Sequence, residues 1–336
     1  MKFSGIFIRR ASALALTSAV VGCGGGGGGN TPTTVAAPRL YTSTEAKLVA
    51  GGGFVTLEAL SGHAQLEQAF FANFIQGYSA AGNTASGSSP TITISCASGG
   101  SGAGSFSSSV SKSGVYTGLK SNDTFNMSFN GCSLPGTGLT LNGQAVIQAT
   151  ADNLNLGSNF LAQYRLTTAN FDMSIGSSKF RSSGAQNIRY DATAAGPSFS
   201  DLSSTVVGSY VYGIFNQASA TTASVNVTLT TGAVLNTKTT TSNTFVTSFN
   251  GSLQSSTSAG AFTSTISTAA PLSGPLNSTT GRPIPTSGIL NATDTTLNLA
   301  TSTTIQPVAV FVKFDSNGDG SLESTYTTTY TALTTF

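Results

Sequence analysis

Phe125-Asn126-Met127-Ser128-Phe129-Asn130-Gly131-Cys132 is the stretch that decides the fold class. Large apolar side chains stand at 125, 127 and 129, with neutral polar ones between them. Successive side chains of a strand point to opposite faces, so a period of two predicts a strand with one face in a core and one in water. The Asn130-Gly131 pair behind it reads as a hairpin turn, because both residue types tolerate positive φ. The device recurs as Ser248-Phe249-Asn250-Gly251. Two short copies indicate a shared strand-to-turn unit and not a solenoid.

The same alternation continues outward from 125–132. It appears at Tyr164 and Leu166, at Phe171, Met173 and Ile175, at Tyr210, Tyr212 and Ile214, and at Val225, Val227 and Leu229. It resumes at Phe245, Thr247 and Phe249, at Leu297 and Leu299, and at Val308, Val310, Val312 and Phe314. Asn142-Gly143 and Asp319-Gly320 supply further turn signals. Strands with one apolar and one Ser/Thr/Asn face belong to antiparallel sheets solvated on one side. No helical pattern recurs between them, which excludes a doubly wound α/β fold. The expected class is mostly β: a large antiparallel meander curled into a half-barrel or barrel, with one N-terminal amphipathic helix segment packed against it.

That helix segment lies within 41–82. Leu60, Ala64, Glu67, Phe71, Phe74, Ile75 and Tyr78 recur at three- and four-residue spacing, with Ser61 as a cap and Gly82-Asn83 as a stop. A weaker helix at 44–50 is expected to break at Gly51-Gly52-Gly53. The Pro-rich stretch 271–285 does not divide the chain in this reading, so 41–336 is one β-rich domain.

Composition agrees with this class and excludes others. Only 26 of the 336 residues are charged, whereas 49 are Ser and 50 are Thr; there is no Trp and one histidine, His63. Without a Lys/Arg footprint no nucleic-acid partner is expected. With one imidazole, any Ser-His-Asp or Cys-His arrangement must use His63, so no enzyme is expected. Ser109-Val110-Ser111-Lys112 fits Ser-x-x-Lys, but Ser121-Asn122-Asp123 reverses the Ser-Asp-Asn order and no Lys-Thr-Gly follows.

Residues 1–22 read as an export signal: Lys2, Arg9 and Arg10 precede the apolar run Ala11 to Val21. The run is too short to span a bilayer. Val20-Val21-Gly22-Cys23 resembles a bacterial lipobox. The resemblance implies cleavage before Cys23, a diacylglycerol thioether there, and attachment to a membrane through this N-terminal lipid. Residues 23–40, with Gly24 to Gly29 and then Thr, Pro and Ala, form a flexible tether with a reach of roughly 20 Å. Gly24, in place of Asp, implies outer-membrane sorting, again by resemblance. Without the signal, eleven basic residues face twelve acidic ones.

Two local motifs remain. Cys96 and Cys132 are the other cysteines, and in an oxidising envelope they are expected to pair. Asp315-Ser316-Asn317-Gly318-Asp319-Gly320-Ser321-Leu322-Glu323 matches the opening of a Ca2+ loop. Asp315, Asn317, Asp319, Ser321 and Glu323 are its candidate ligands, although Tyr326 stands where a bidentate Glu is expected. The alternative is a polar hairpin tip without an ion.

The lipobox and its glycine run, Cys96-Ala97-Ser98-Gly99-Gly100, the strand Phe125 to Phe129 leading to Cys132, and the hairpin from Phe311-Val312-Lys313-Phe314-Asp315 to Gly320 together carry a broader resemblance. The chain is similar in pattern to β-rich, glycine-tethered lipoproteins of Gram-negative bacteria. The resemblance brings no catalytic residues with it. The expected function is non-enzymatic: a lipid-anchored envelope protein that binds a hydrophobic ligand or an envelope partner. A structural or adhesive surface protein is the alternative. An integral outer-membrane barrel would need strands with fewer interruptions, and a hydrolase would have to find its base in His63 or among the few, dispersed carboxylates.

Overall fold

The alternating segments pair with their sequence neighbours into one antiparallel sheet. A computed structural model describes residues 39–57, helical positions 60, 61, 67 and 70, and, with gaps mainly between strands, 91–334. The first strands are β1 (Thr91–Ile94), β2 (Ser101–Ser107), β3 (Thr124–Ser133), β4 (Leu139–Ala149), β5 (Leu161–Ile175), β6 (Ser178–Asp191) and β7 (Ser200–Asn216). They are followed by β8 (Val225–Leu229), β9 (Val234–Thr239), β10 (Thr244–Thr257), β11 (Gly260–Pro275) and β12 (Ser287–Asp294). The last are β13 (Leu299–Ile305), β14 (Val310–Phe314) and β15 (Ser324–Thr328).

Spatial order follows chain order, with one apparent exception: β8 and β9 both lie between β7 and β10. They behave as a single interrupted strand. Leu229 opposite Tyr210 and Val234 opposite Thr205 keep one register along β7 across the break. The meander is therefore uninterrupted from β1 to β15. Among the described residues no ladder joins those two edges, so the described sheet is not a closed barrel.

One face of this sheet is the core. Phe125, Met127, Phe129, Tyr164, Leu166, Phe171, Met173, Phe245, Phe249, Val310, Val312 and Phe314 are all buried, as their alternation requires. Two of the sequence expectations need correction. Leu297 lies in the β12–β13 turn and not in a strand with Leu299. Val308 stands in the β13–β14 turn, 88% exposed, because Pro307 and the turn geometry end β13 before it.

The Asn-Gly pairs bring a larger correction. Asn130-Gly131, Asn142-Gly143 and Asn250-Gly251 lie inside β3, β4 and β10 and do not form hairpins. The ladders slip at or beside each of them, between Phe129 and Cys132, between Asn142 and Gln144, and between Thr247 and Asn250. At Gly131 and Gly143 these are β-bulges, in which a glycine at positive φ inserts one extra residue and bends the strand; at Gly251 the slip carries no positive φ. Gly131 and Gly143 have φ of 61° and 94°. Neighbouring bulges form a seam across β3 to β6: Gly131 N–H donates to Asn142 Oδ1 (2.7 Å), and Asn170 N–H to Ser183 Oγ (2.9 Å). Asp319-Gly320 is the one such pair that does turn the chain between strands.

Helix α1, residues 43–57, runs straight through Gly51-Gly52-Gly53, contrary to the expected break. Thr42 and Glu45 form a reciprocal capping box, with Thr42 N–H donating to Glu45 Oε2 (2.9 Å) and Glu45 N–H to Thr42 Oγ1 (3.3 Å). Burial of Ala46, Val49, Ala50, Phe54 and Leu57 on one face offsets the poor glycine propensity, about 1 kcal/mol per residue. Gly53 has a steric role: a Cβ there would lie 3.3 Å from both Ala292 Cβ and Leu290 Cδ2 on β12. The absent side chain lets the helix approach the sheet.

Of the expected 60–78 helix, Leu60, Ser61, Glu67 and Phe70 are described, all helical and buried. Ser61 is thus inside a helix and is not its cap. Ala64, Phe71, Phe74, Ile75, Tyr78 and the Gly82-Asn83 stop lie outside the described residues. Phe70 packs against Phe171 and Phe129, at centroid distances of 5.2 and 5.9 Å. A short α2 (Tyr330–Thr334) ends the described chain, with Tyr330 edge-on to Phe54 at 5.8 Å. The Pro-rich stretch does not interrupt the sheet. β11 and β12 pair across it, and Thr286 N–H donates to Ser273 O (2.9 Å).

Candidate functional site

The loop between β14 and β15 is held by its own first residue. Asp315 is buried, and its Oδ1 accepts from the N–H groups of Asn317 (3.2 Å), Gly318 (2.6 Å) and Asp319 (3.2 Å). Its Oδ2 accepts from Gly320 N–H at 2.7 Å. Gly318 and Gly320 supply the positive φ that turns these donors inward. Asp319 accepts from Ser321 N–H (2.8 Å) and Asn317 Nδ2 (3.0 Å), which hold its carboxyl below the usual range. Glu323 Oε1 accepts from Ser316 N–H at 2.7 Å and from the Ser316 hydroxyl.

Asp315, Asp319 and Glu323 each bring a carboxylate oxygen within 4.8 Å of the others. The donor types suit a hard cation. Each of these carboxylates, however, already accepts hydrogen bonds from the loop, so the turn closes without an ion. Titrating calcium into the chelated protein is expected to give no saturable rise in Tm. A rise that Asp315→Ala abolishes would establish the ion instead.

This loop grips the entry to the domain. Tyr41 N–H donates to Ser316 O (2.8 Å), and the Tyr41 hydroxyl donates to Leu297 O in the neighbouring β12–β13 turn. The Tyr41 ring lies next to Gly318, and the Arg39 guanidinium sits 5.1 Å from its centroid. Arg39 also pairs with Glu45 at 2.7 Å. Burial alone would raise the Glu45 carboxyl, but the Thr42 N–H and Arg39 outweigh it and hold the group low. The Thr42-x-x-Glu45 spacing was the available sequence signal for this start.

Cys96 and Cys132 form a disulfide with Cα atoms 5.1 Å apart, linking the segment after β1 to the end of β3. Cys23, His63, Ser109 and Lys112 lie outside the described residues. Asp123, from the reversed motif, is fully buried, and its backbone carbonyl accepts from Ala149 N–H.

Sequence reasoning missed three polar groupings. On the outer face, Asp172 accepts from Arg181 Nε (2.6 Å) and Nη2 (2.9 Å) and meets Lys179 Nζ at 2.7 Å. Burial pushes its carboxyl up, but these two cations prevail and hold it below the usual range. A lowered folded-state value means that the stabilisation is present above the carboxylate range and is lost as pH falls through it. Asp172→Asn is therefore expected to lower the unfolding free energy by about 1–2 kcal/mol at pH 7. The gap from wild type should close towards pH 2, as read by Tm against pH.

On the inner face, Glu67 accepts from Gln186 Nε2 at 2.5 Å. Among the described residues, the buried hydroxyls of Thr168 and Ser182, on the same face of β5 and β6, have no hydrogen-bond partner. Towards β15, the Thr303 and Tyr326 hydroxyls are also buried without one, and burial pushes the Tyr326 phenol up to about 12. These groups were invisible in sequence because their meeting depends on register between strands.

Searches against protein-family models, curated proteins and solved structures find no match to this chain.

Proposed function

We propose that this protein is a non-enzymatic envelope lipoprotein, acylated at Cys23 and sorted to the outer membrane, whose sheet curls as a half-barrel around its helix and presents its outer face to an envelope partner. The observation that carries the partner reading is a row of outward side chains across six strands. Asn250, Ser267, Asn291, Ser302, Lys313 and Thr325 stand in register from β10 to β15. At strand spacing the row extends roughly 24 Å. It carries one charge among five neutral polar residues, of which Asn291 keeps its Oδ1 buried, and this suits a neutral, hydroxyl- or amide-rich partner better than a charged polymer.

Curling is supported by where the N-terminal segment touches the sheet. Gly53 sits over β12 and Phe70 over β5 and β3. The bulge seam across β3 to β6 supplies the bend.

A hydrophobic ligand on the inner face is the second reading. It is favoured by the unpartnered Thr168 and Ser182 hydroxyls beside Gly184, which could anchor a polar head. Phe54, Leu57, Leu60 and Phe70 of the chain itself belong to the core on that face, which favours the partner reading.

The test uses the full chain carrying Cys23→Ala, so that no acyl anchor carries it down, with and without Ser302→Glu/Thr325→Glu, in co-sedimentation with isolated envelope fragments. The parent is expected to sediment, and the folded variant to lose most of its binding. Equal sedimentation of the two, or none by the parent, would overturn the outer-face reading. Mass spectrometry of the membrane fraction separately checks acylation, which Cys23→Ala should abolish.

A further inference from the structure

The described residues include five exposed large hydrophobic side chains: Leu40, Leu48, Ile284, Val308 and Leu322. Their placement is uneven. Leu40 (75% exposed) precedes Tyr41, which is bonded to the Asp315 loop; Leu322 (37%) belongs to that loop. Leu48 (47%) lies on α1 between the Tyr41 end and Gly53. Leu40 and Leu322 thus stand at the end of the sheet where Tyr41 meets the Asp315 loop, and Leu48 lies within two turns of it along α1. Ile284 and Val308 mark the opposite end, beside Pro275 and in the β13–β14 turn.

We infer that the end formed by Leu40, Leu48 and Leu322 docks on the bilayer surface, with these side chains at the boundary between headgroups and acyl chains. The inference rests on acylation at Cys23. From Cys23 to Arg39 is sixteen residues, at most about 55 Å of chain even when fully extended, so an anchor at Cys23 attaches the domain to the lipid through this end. Exposed leucines at the attached end of a domain gain by entering the interface. Tyr41 locks the geometry, because its bonds to Ser316 and Leu297 tie the emerging chain to two turns of the sheet.

Charge does not drive the contact. Arg39 and Lys47 are offset locally by Glu45, Asp319 and Glu323. The docking should therefore respond little to salt, unlike a polybasic membrane contact. With this end down, the Ile284 and Val308 end points away from the membrane, and the outer row proposed as the partner surface runs parallel to the bilayer and stays accessible.

The experiment places a polarity-sensitive fluorophore on Leu322→Cys or Val308→Cys in the full-length acylated protein. Each is reconstituted into phosphatidylethanolamine/phosphatidylglycerol vesicles carrying nitroxide lipids, and flotation establishes attachment independently. The expected result is at least threefold stronger quenching at 322 than at 308, unchanged between 50 and 500 mM salt. Leu40→Ser/Leu48→Ser in the 322-labelled protein should remove most of that quenching while flotation stays intact. Attached protein with equal or stronger quenching at 308 would overturn the docking and leave the anchor standing. Failure to float would overturn the anchor, and the docking with it.

Discussion

Gly143→Val is expected to lower the unfolding free energy by more than about 3 kcal/mol, whereas Gly131→Ala, in the neighbouring bulge, should cost only about 1 kcal/mol. Both glycines hold positive φ, which costs a side-chain-bearing residue roughly 1–2 kcal/mol. Their surroundings differ. A Cβ on Gly143 would lie 2.3 Å from Asn170 O and 3.1 Å from Phe171 Cα, and backbone cannot swing aside as a side chain can. At Gly131 the nearest atom is Gly100 Cα at 3.9 Å. The valine must push β5 away from β4 at the bulge, beside the buried Phe171. Urea unfolding of the two variants measures the difference. Equal, small costs would show that the seam is soft and that the bulges do not shape the sheet.

Reducing the Cys96–Cys132 bond, or replacing both residues by serine, is expected to destabilise the domain by about 4 kcal/mol. The bond closes a loop of 36 residues' separation, and the chain-entropy model assigns that much to restricting the unfolded chain. The effect should appear as a fall in the denaturant midpoint, with little change in the native far-UV spectrum. The segment after β1 is the part at risk. Apart from the disulfide it is joined to the end of β3 by Ala97 N–H to Ser133 O at 2.7 Å. A loss below about 1 kcal/mol would mean that the unfolded chain is already compact around this loop.

What could be read from the chain was periodicity. Phe125, Met127 and Phe129, or Phe245, Thr247 and Phe249, declare their buried face through local alternation, because a strand's period is intrinsic to its backbone. Helix α1 was half legible. Its apolar spacing and the Thr42/Glu45 box were present, but three consecutive glycines read as a break when only local propensity is weighed. Contact with Leu290 and Ala292, about 240 residues away, turns Gly53 from a weakness into a requirement.

The Asn-Gly pairs show the same division. Sequence by itself determined that positive φ was wanted at Gly131 and Gly143, since that preference belongs to the residue. Whether positive φ makes a hairpin or a bulge depends on what lies across the ladder. At 143 the strand is obliged to continue by its pairing with β5, a choice that only the assembled sheet makes. The loop at 315–323 was legible as a turn rich in oxygen ligands, but its grip on Tyr41 was not, because no local rule connects residues so far apart. Alternation, charge scarcity and turn chemistry are properties of neighbours along the chain. Bulge against turn, glycine as contact, and the gathering of leucines at one end are properties of neighbours in space, and the tertiary structure decided them.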